Sequence, residues 1–314
     1  MKPFFLICFC YLFIVGSGQD VKIERDIVFG NVVDWKGQKQ ELTMDILSPQ
    51  SEKNLPLVLF VHGGGFYGGN KNTHTPFCTK LANEGYVVAN INYRVGFDTS
   101  AAQKIIGITM ASYRAAQDAS SALRYLVHHS KQYHIDTSAV FVSGESAGAI
   151  TSLADAYFSQ QEWDAMFPML HQNLGTVRGS GNELLDDYRI RGVISLWGGV
   201  FDTTLINSNE IRSIPIALIQ SQSDEIIPFQ HSKGQKAAFS SLYGSFDIAQ
   251  RFRSSGSCAR LYYTKEAKHF LGFSQHYIIN AIKHFIDDVQ AGKCQALMEE
   301  NKNERSDIPF SVYQ

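Results

Sequence analysis

The 314-residue sequence is poor in charge: 18% of its residues are Asp, Glu, Lys or Arg, the formal net charge is −2, and basic residues nowhere form a block. A nucleic-acid partner needs a concentrated cationic face, so that class of function is set aside. No Asn-x-Ser/Thr sequon occurs, and nothing points to N-glycosylation. No internal repeat or low-complexity linker interrupts the chain, and a hydrophobic content of 44% suits one globular domain. Apart from a short run at the start, no stretch is apolar enough to cross a bilayer, which takes about 20 residues. Cysteine is scarce: there are five, and Cys8 and Cys10 fall in that opening run. Cys78, Cys258 and Cys294 remain, which allows at most one internal disulfide. Cys258 with Cys294 is the expected pair, because both flank the last strand and helix; three unpaired thiols are the alternative.

The opening run is itself informative. One lysine precedes an apolar stretch from Phe4 to Val15, and Gly16-Ser17-Gly18 supplies small residues for a cleavage site. Residues 1–18 are expected to be a cleavable signal peptide and residues 19–314 a single catalytic domain, secreted or periplasmic. A membrane anchor is the alternative, but the run is short for a span.

Along the rest of the chain, strand and helix patterns alternate. Val21 to Phe29 and Glu41 to Ile46 read as a half-exposed antiparallel hairpin, with Leu42, Met44 and Ile46 on one face. Leu55 to Val61 and Tyr86 to Tyr93 are apolar on both faces, as in central parallel strands. Further strands are expected at Ala139 to Ser143, Val193 to Trp197, Ile214 to Gln220 and Ala259 to Thr264. Helices are expected at Phe77 to Asn83, Thr109 to His129, Phe229 to Tyr243 and Ser274 to Asp288, with Gly292 ending the last. Ala115, Ala119, Ala122 and Leu126 give the long helix a small-residue face for packing on a sheet. This order predicts an α/β fold with right-handed crossovers. Residues 158–189 are long for a connection and are candidates for a cap over a site, with Trp163, Met166 and Phe167 either lining a pocket or forming a packing face. Residues 299–314 are expected to drape over the surface.

One stretch carries chemistry. Val140-Phe141-Val142-Ser143 runs into Gly144-Glu145-Ser146-Ala147-Gly148, a strand–turn–helix order around Gly-x-Ser-x-Gly, which reads as a nucleophile elbow. A serine that transfers acyl groups needs a base, an acid that orients the base, and donors for the oxyanion. These belong at the carboxyl ends of the strands. His62-Gly63-Gly64-Gly65 follows a central strand, so the N–H groups of Gly64 or Gly65, with that of Ala147, are the candidate donors. No Lys-Ser/Thr follows these glycines at P-loop spacing, which argues against a phosphate loop. Asp224 follows the strand ending at Gln220 and is the candidate acid, with Glu225 and Asp202 as rivals. His269 follows the last strand and is the candidate base, with His231, His276 and His284 as weaker rivals. His62 is read as a brace for the glycine loop, and Glu145 as a buried residue under the elbow.

With these residues in view, the chain resembles an α/β-hydrolase, and within it the HGGG-containing esterase/lipase group of hormone-sensitive-lipase-like acetyl esterases and carboxylesterases. The resemblance rests on His62-Gly63-Gly64-Gly65-Phe66, Asn92-Tyr93-Arg94, Gln117-Asp118, Gly144-Glu145-Ser146-Ala147-Gly148, Asp224-Glu225-Ile226-Ile227-Pro228 and His269-Phe270. It runs from Leu57 to Phe273. It implies a mostly parallel eight-stranded sheet with helices on both faces, no cofactor, no metal, and hydrolysis of carboxylic esters through an acyl-serine. The expected substrates are short-chain or acetyl esters, free or carried on a polysaccharide. A peptidase of the prolyl-oligopeptidase type, or a non-catalytic binding protein of the same fold, are the rival readings. Ala149 stands where many relatives have glycine, and the N-terminal cap of the hormone-sensitive-lipase group is expected to be absent, since only a hairpin-like stretch precedes the glycine-loop strand.

Overall fold

The computed structural model describes residues 20–100, 104–206, 213–231, 242–265, 268–270 and 272–302. The expected signal peptide lies outside the described residues, as does most of the helix expected between Phe229 and Tyr243.

The two strands that are apolar on both faces take the middle of the sheet. β3 (Leu55–Val61) pairs in parallel with β4 (Val87–Ile91) on one side and with β5 (Ile135–Glu145) on the other. Outward from β5 follow β6 (Ile190–Leu196), β7 (Ile216–Ser221), β8 (Ala259–Thr264) and β9 (Leu297–Glu300), all parallel. On the other edge, β1 (Val21–Val33) and β2 (Lys39–Pro49) form an antiparallel hairpin, and β2 pairs antiparallel with β4. The sheet order is β1-β2-β4-β3-β5-β6-β7-β8-β9. Among the described residues it therefore has nine strands where eight were expected. The ninth takes in Glu299 and Glu300, which were assigned to a surface tail.

Side-chain alternation splits the core into two layers. Leu57, Leu59 and Val61 face α2 (Lys104–His128), α3 (Ala147–Tyr157) and α6 (Ser245–Ser254). Val58 and Phe60 face α1 (Thr75–Ala82) and α7 (Gln275–Gln290). Ala115, Ala119 and Ala122 are fully buried, as a helix lying close against a sheet requires. The hairpin departs from expectation. Leu42, Met44 and Ile46 face one core, but Asp45 and Leu47 on the opposite face are buried as well. Leu47 belongs to the second layer with Val58 and Phe60. Asp45 receives the buried ammonium of Lys71 at 2.6 Å, which also reaches Asp26 at 2.7 Å and holds that carboxyl below its usual range. A charged pair thus closes the face that alternation alone would leave wet. α6, an amphipathic helix after Gly244, was not anticipated.

Residues 158–189 contain α4 (Gln160–Met166), α5 (Pro168–Leu174) and an extended segment. Trp163 is buried edge-on against Tyr113 and Phe158. The extended segment is stitched to α2 and to the hairpin. Tyr113 donates to the Gly175 carbonyl at 2.7 Å, Arg124 to that of Ser180 at 2.6 Å, and Asn31 N–H to that of Gly181 at 2.7 Å. Arg94 joins three parts of the molecule. Its guanidinium grips Asp118 of α2 at 2.7 and 3.0 Å, and also reaches Gln117 and Ser180. Cys258 and Cys294 form a disulfide, and Cys78 is a buried free thiol.

Asp155, in the last turn of α3, accepts from Tyr188 at 3.0 Å. Burial pushes its carboxyl up to about 6 from an ordinary 3.8. The folded state therefore holds more protons than the unfolded one between these values, and this group's contribution to stability is lost as pH rises through that window. Asp155→Asn keeps an acceptor for Tyr188 and removes the charge. It is expected to raise stability at pH 7 by about 3 kcal/mol and to flatten the slope between pH 4 and 6, as read by urea unfolding across that range.

Candidate active site

The elbow is made by two chain segments that touch backbone to backbone. β5 ends at Glu145, α3 begins at Ala147, and Ser146 between them has φ 51° and ψ −117°. A side chain at Gly148 would lie 2.0 Å from the Val61 carbonyl oxygen, and one at Gly144 would lie 2.5 Å from Gly148. Only glycine permits this approach, and the approach holds the strained serine in place. Ser146 N–H donates to the Leu196 carbonyl at 2.9 Å, which ties the turn to the neighbouring strand.

The glycine loop follows Val61 directly. Gly64 (φ 111°) and Gly65 (φ 61°) both occupy the left-handed region. Tyr67 and Gly68 N–H groups donate to the Gly64 carbonyl at 3.0 and 3.1 Å, which turns the loop back on itself. Beneath it, Glu145 is fully buried. One of its oxygens accepts from Gly63 N–H at 3.2 Å and lies 3.1 Å from His74 Nε2. His62 stacks on Tyr93 and places Nδ1 2.7 Å from the Gly63 carbonyl, so that nitrogen carries the proton. Burial pushes the His62 imidazole down to about 4, which keeps it neutral near pH 7. His62 and Glu145 thus hold the loop from below, as brace and buried carboxylate.

Across the elbow, His269 Nε2 lies 3.1 Å from Ser146 Oγ, and its Nδ1 lies 2.7 Å from Asp224 Oδ2. A carboxylate only accepts, so Nδ1 carries the hydrogen and Nε2 is left to accept from the serine. Asp224 is itself fixed. Its Oδ1 accepts from the N–H groups of Ile226 and Ile227 at 2.9 and 3.0 Å, and Oδ2 accepts also from the Gln220 amide at 3.2 Å. Ser146, Asp224 and His269 are each under a tenth exposed, at 5%, 8% and 7%. The ring of Phe270 (φ 68°) lies 3.9 Å from that of His269 and meets Trp197 edge-on.

The rival residues go elsewhere. Glu225 is mostly exposed and faces Lys268 at 3.9 Å. Asp202 accepts from Thr204 N–H at a short 3-10 turn. His231 stacks on Tyr243, and His276 meets Asn280 on α7. Gln220 and His74 were not anticipated. Gln220 had a signal, a polar residue closing an apolar strand; it is fully buried, and its side-chain Oε1 accepts from Ser245 N–H at 3.0 Å. His74 had none, because its partner is 71 positions further along the chain.

The sheet order, the elbow and the helices on both faces define an α/β-hydrolase. Thermogutta terrifontis esterase 2 phosphorylated by paraoxon shares this fold, with a TM-score of 0.61 and 16% identity over 88% of this chain and 96% of that one. Residues 44–211, more than half of the 314-residue chain, match the BD-FAE family, and the chain belongs to it. That match holds the glycine loop and the elbow; Asp224 and His269 lie beyond it. Gut esterase 1 of Caenorhabditis elegans is 29% identical over 116 residues, 34% of this chain and 19% of that protein. Acetyl esterase of Salmonella paratyphi B is 29% identical over 118 residues, 37% of this chain and 32% of that protein. The chain thus spans less than a third of the length of these relatives in alignment, and the resemblance to the esterase/lipase group holds over the shared part.

Glu145→Leu leaves Gly63 N–H and His74 facing a hydrocarbon. A loss of about 1–3 kcal/mol in unfolding free energy is expected, measured by denaturant titration.

Proposed function

We propose that the protein is a serine esterase that hydrolyses carboxylic esters through an acyl-serine intermediate. The observation that carries this reading is the unbroken chain Ser146 Oγ, His269 Nε2, His269 Nδ1, Asp224 Oδ2, with contacts of 3.1 and 2.7 Å. Ser146 Oγ attacks the ester carbonyl while His269 Nε2 takes its proton. Asp224 holds the tautomer and balances the imidazolium. The oxyanion is met by the N–H of Ala147, in the first turn of α3, and by that of Gly64 or Gly65. The imidazolium returns its proton to the leaving alkoxide, the alcohol departs, and water cleaves the acyl-enzyme by the same route.

For substrates, the reading is short-chain or acetyl esters of small alcohols or of a polysaccharide. It is supported by the partial likeness to an acetyl esterase and by the leader-like residues 1–18, which would send the domain to a secreted or periplasmic space. Residues 158–189 are proposed to wall the site from the α2 side, with Phe167 packed edge-on against Phe201.

Ser146→Ala is expected to abolish turnover of p-nitrophenyl acetate and labelling by a fluorophosphonate without changing the circular dichroism. Wild-type turnover in that variant refutes the assignment. Gly64→Ala, which would drive a methyl to 2.1 Å from the Gly68 carbonyl, is expected to cost on the order of 100-fold or more in kcat. Turnover of p-nitrophenyl acyl esters of rising length, beside acetylated xylan and a prolyl peptide, separates acetyl esterase, polysaccharide esterase and peptidase.

A further inference from the structure

β9 is a poor strand by its own packing. It has four residues on the sheet edge, and Leu297 and Met298 are 40% and 44% exposed. Burial contributes little to holding it there. Glu299 accepts from Tyr277 of α7 at 2.9 Å, and the contacts of Glu300 and of Asn301, just after the strand, reach the loop that carries His269. Glu300 pairs with Lys265 at 3.1 Å, before the histidine, and the Asn301 amide donates to the Gly272 carbonyl at 3.3 Å, after it. Asn301 N–H extends the ladder to the Tyr263 carbonyl at 2.7 Å. Two consecutive residues therefore grip both sides of the histidine. The side of the loop before the histidine is also tied to the Asp224 loop: Ser223 donates to the Lys265 carbonyl at 2.5 Å, and Gln222 N–H to that of Thr264 at 2.8 Å.

We infer that the C-terminal strand is a brace that positions His269 against Ser146, and that the Cys258–Cys294 disulfide anchors it. Ester hydrolysis at Ser146, as proposed above, is the activity it serves. Lys265 is 59% exposed, so its ion pair alone is worth little. The weight falls on the Asn301 bonds and on the register Arg260↔Leu297 to Tyr263↔Glu300. The disulfide fixes where that register begins. It joins the residue before β8 to the approach to β9, and Arg260 adds a bond to the Gln295 carbonyl at 3.4 Å. A dithiol reductant would break the S–S bond to two thiols, giving up two electrons and two protons and closing to its own disulfide. The entry end of a short exposed strand would then be free, and the grip on the histidine loop would loosen. Glu300, Asn301 and the disulfide are positioning elements, and none is placed against the reacting atoms.

The test compares Asn301→Leu, the Cys258→Ser/Cys294→Ser pair, and wild type with and without dithiothreitol. For each, kcat and KM on p-nitrophenyl acetate, the melting temperature, and hydrogen exchange at the amides of residues 268–270 are measured. In Asn301→Leu, kcat is expected to fall about tenfold with KM and melting temperature unchanged, while exchange at 268–270 rises and that of β5 stays as it was. Dithiothreitol should do the same to wild type and nothing further to the serine pair. Wild-type kcat together with wild-type exchange in Asn301→Leu overturns the brace, whether or not the cysteine variant folds. A wild-type protein inert toward esters whose 268–270 exchange still responds to Asn301→Leu refutes the esterase reading and leaves the brace standing.

Discussion

The backbone contact between the end of β3 and the first turn of α3 is the constraint on which the site depends. Gly148 lies so close to the Val61 carbonyl that a methyl group would overlap it, and Gly144 lies as close to Gly148. Because that contact is made, the loop leaving β3 and the elbow leaving β5 share one small volume. Gly63 N–H can then reach the carboxylate of Glu145, the residue just before the serine. The candidate donors and the candidate nucleophile are therefore set relative to each other by covalent geometry and one buried acceptor, with no long side chain between them. Strain at Ser146 is sustained by this packing.

Buried charge does the corresponding work farther out. Lys71 with Asp45 and Asp26 fixes the segment after the glycine loop to the hairpin. Arg94 with Asp118 fixes the segment after β4 to α2 and, through Ser180, to the chain beyond α5. Taking such ions out of water is costly unless every one is paired, and these pairs are geometrically well made. They hold irregular segments, where strand and helix hydrogen bonds are not available, in one arrangement. Asp224 is the same device at the site. Two backbone N–H groups and the Gln220 amide fix its carboxylate before the imidazole is added.

The family match covers only part of the candidate site. Residues 44–211 carry the glycine loop and the elbow. The candidate acid and base, Asp224 and His269, lie in the loops that follow β7 and β8, at the carboxyl ends of parallel strands. The C-terminal edge then adds a strand beyond the eight the resemblance implies, joined by a disulfide and held by Asn301 rather than by burial.

The sequence by itself determined the local pieces. Apolar runs on both faces marked β3 and β4 as central, glycines marked the loop and the elbow, and position after the last strand favoured His269, while Glu225 and Asp202 stayed open beside Asp224 because they too follow a strand. These signals are local because they depend on residues a few positions apart and on which face a strand buries. Only the tertiary structure decided the rest. Asp45 is buried because Lys71 lies over it; the alternation of β2 alone predicts exposure there. The Glu145–His74 pair, the bond from Ser245 N–H to Gln220 Oε1, and the grip of Glu300 and Asn301 on the His269 loop join residues far apart in the chain. Such partners leave no periodicity to read, since what selects them is the need to satisfy a buried polar group, and that need exists only once the chain has closed around it.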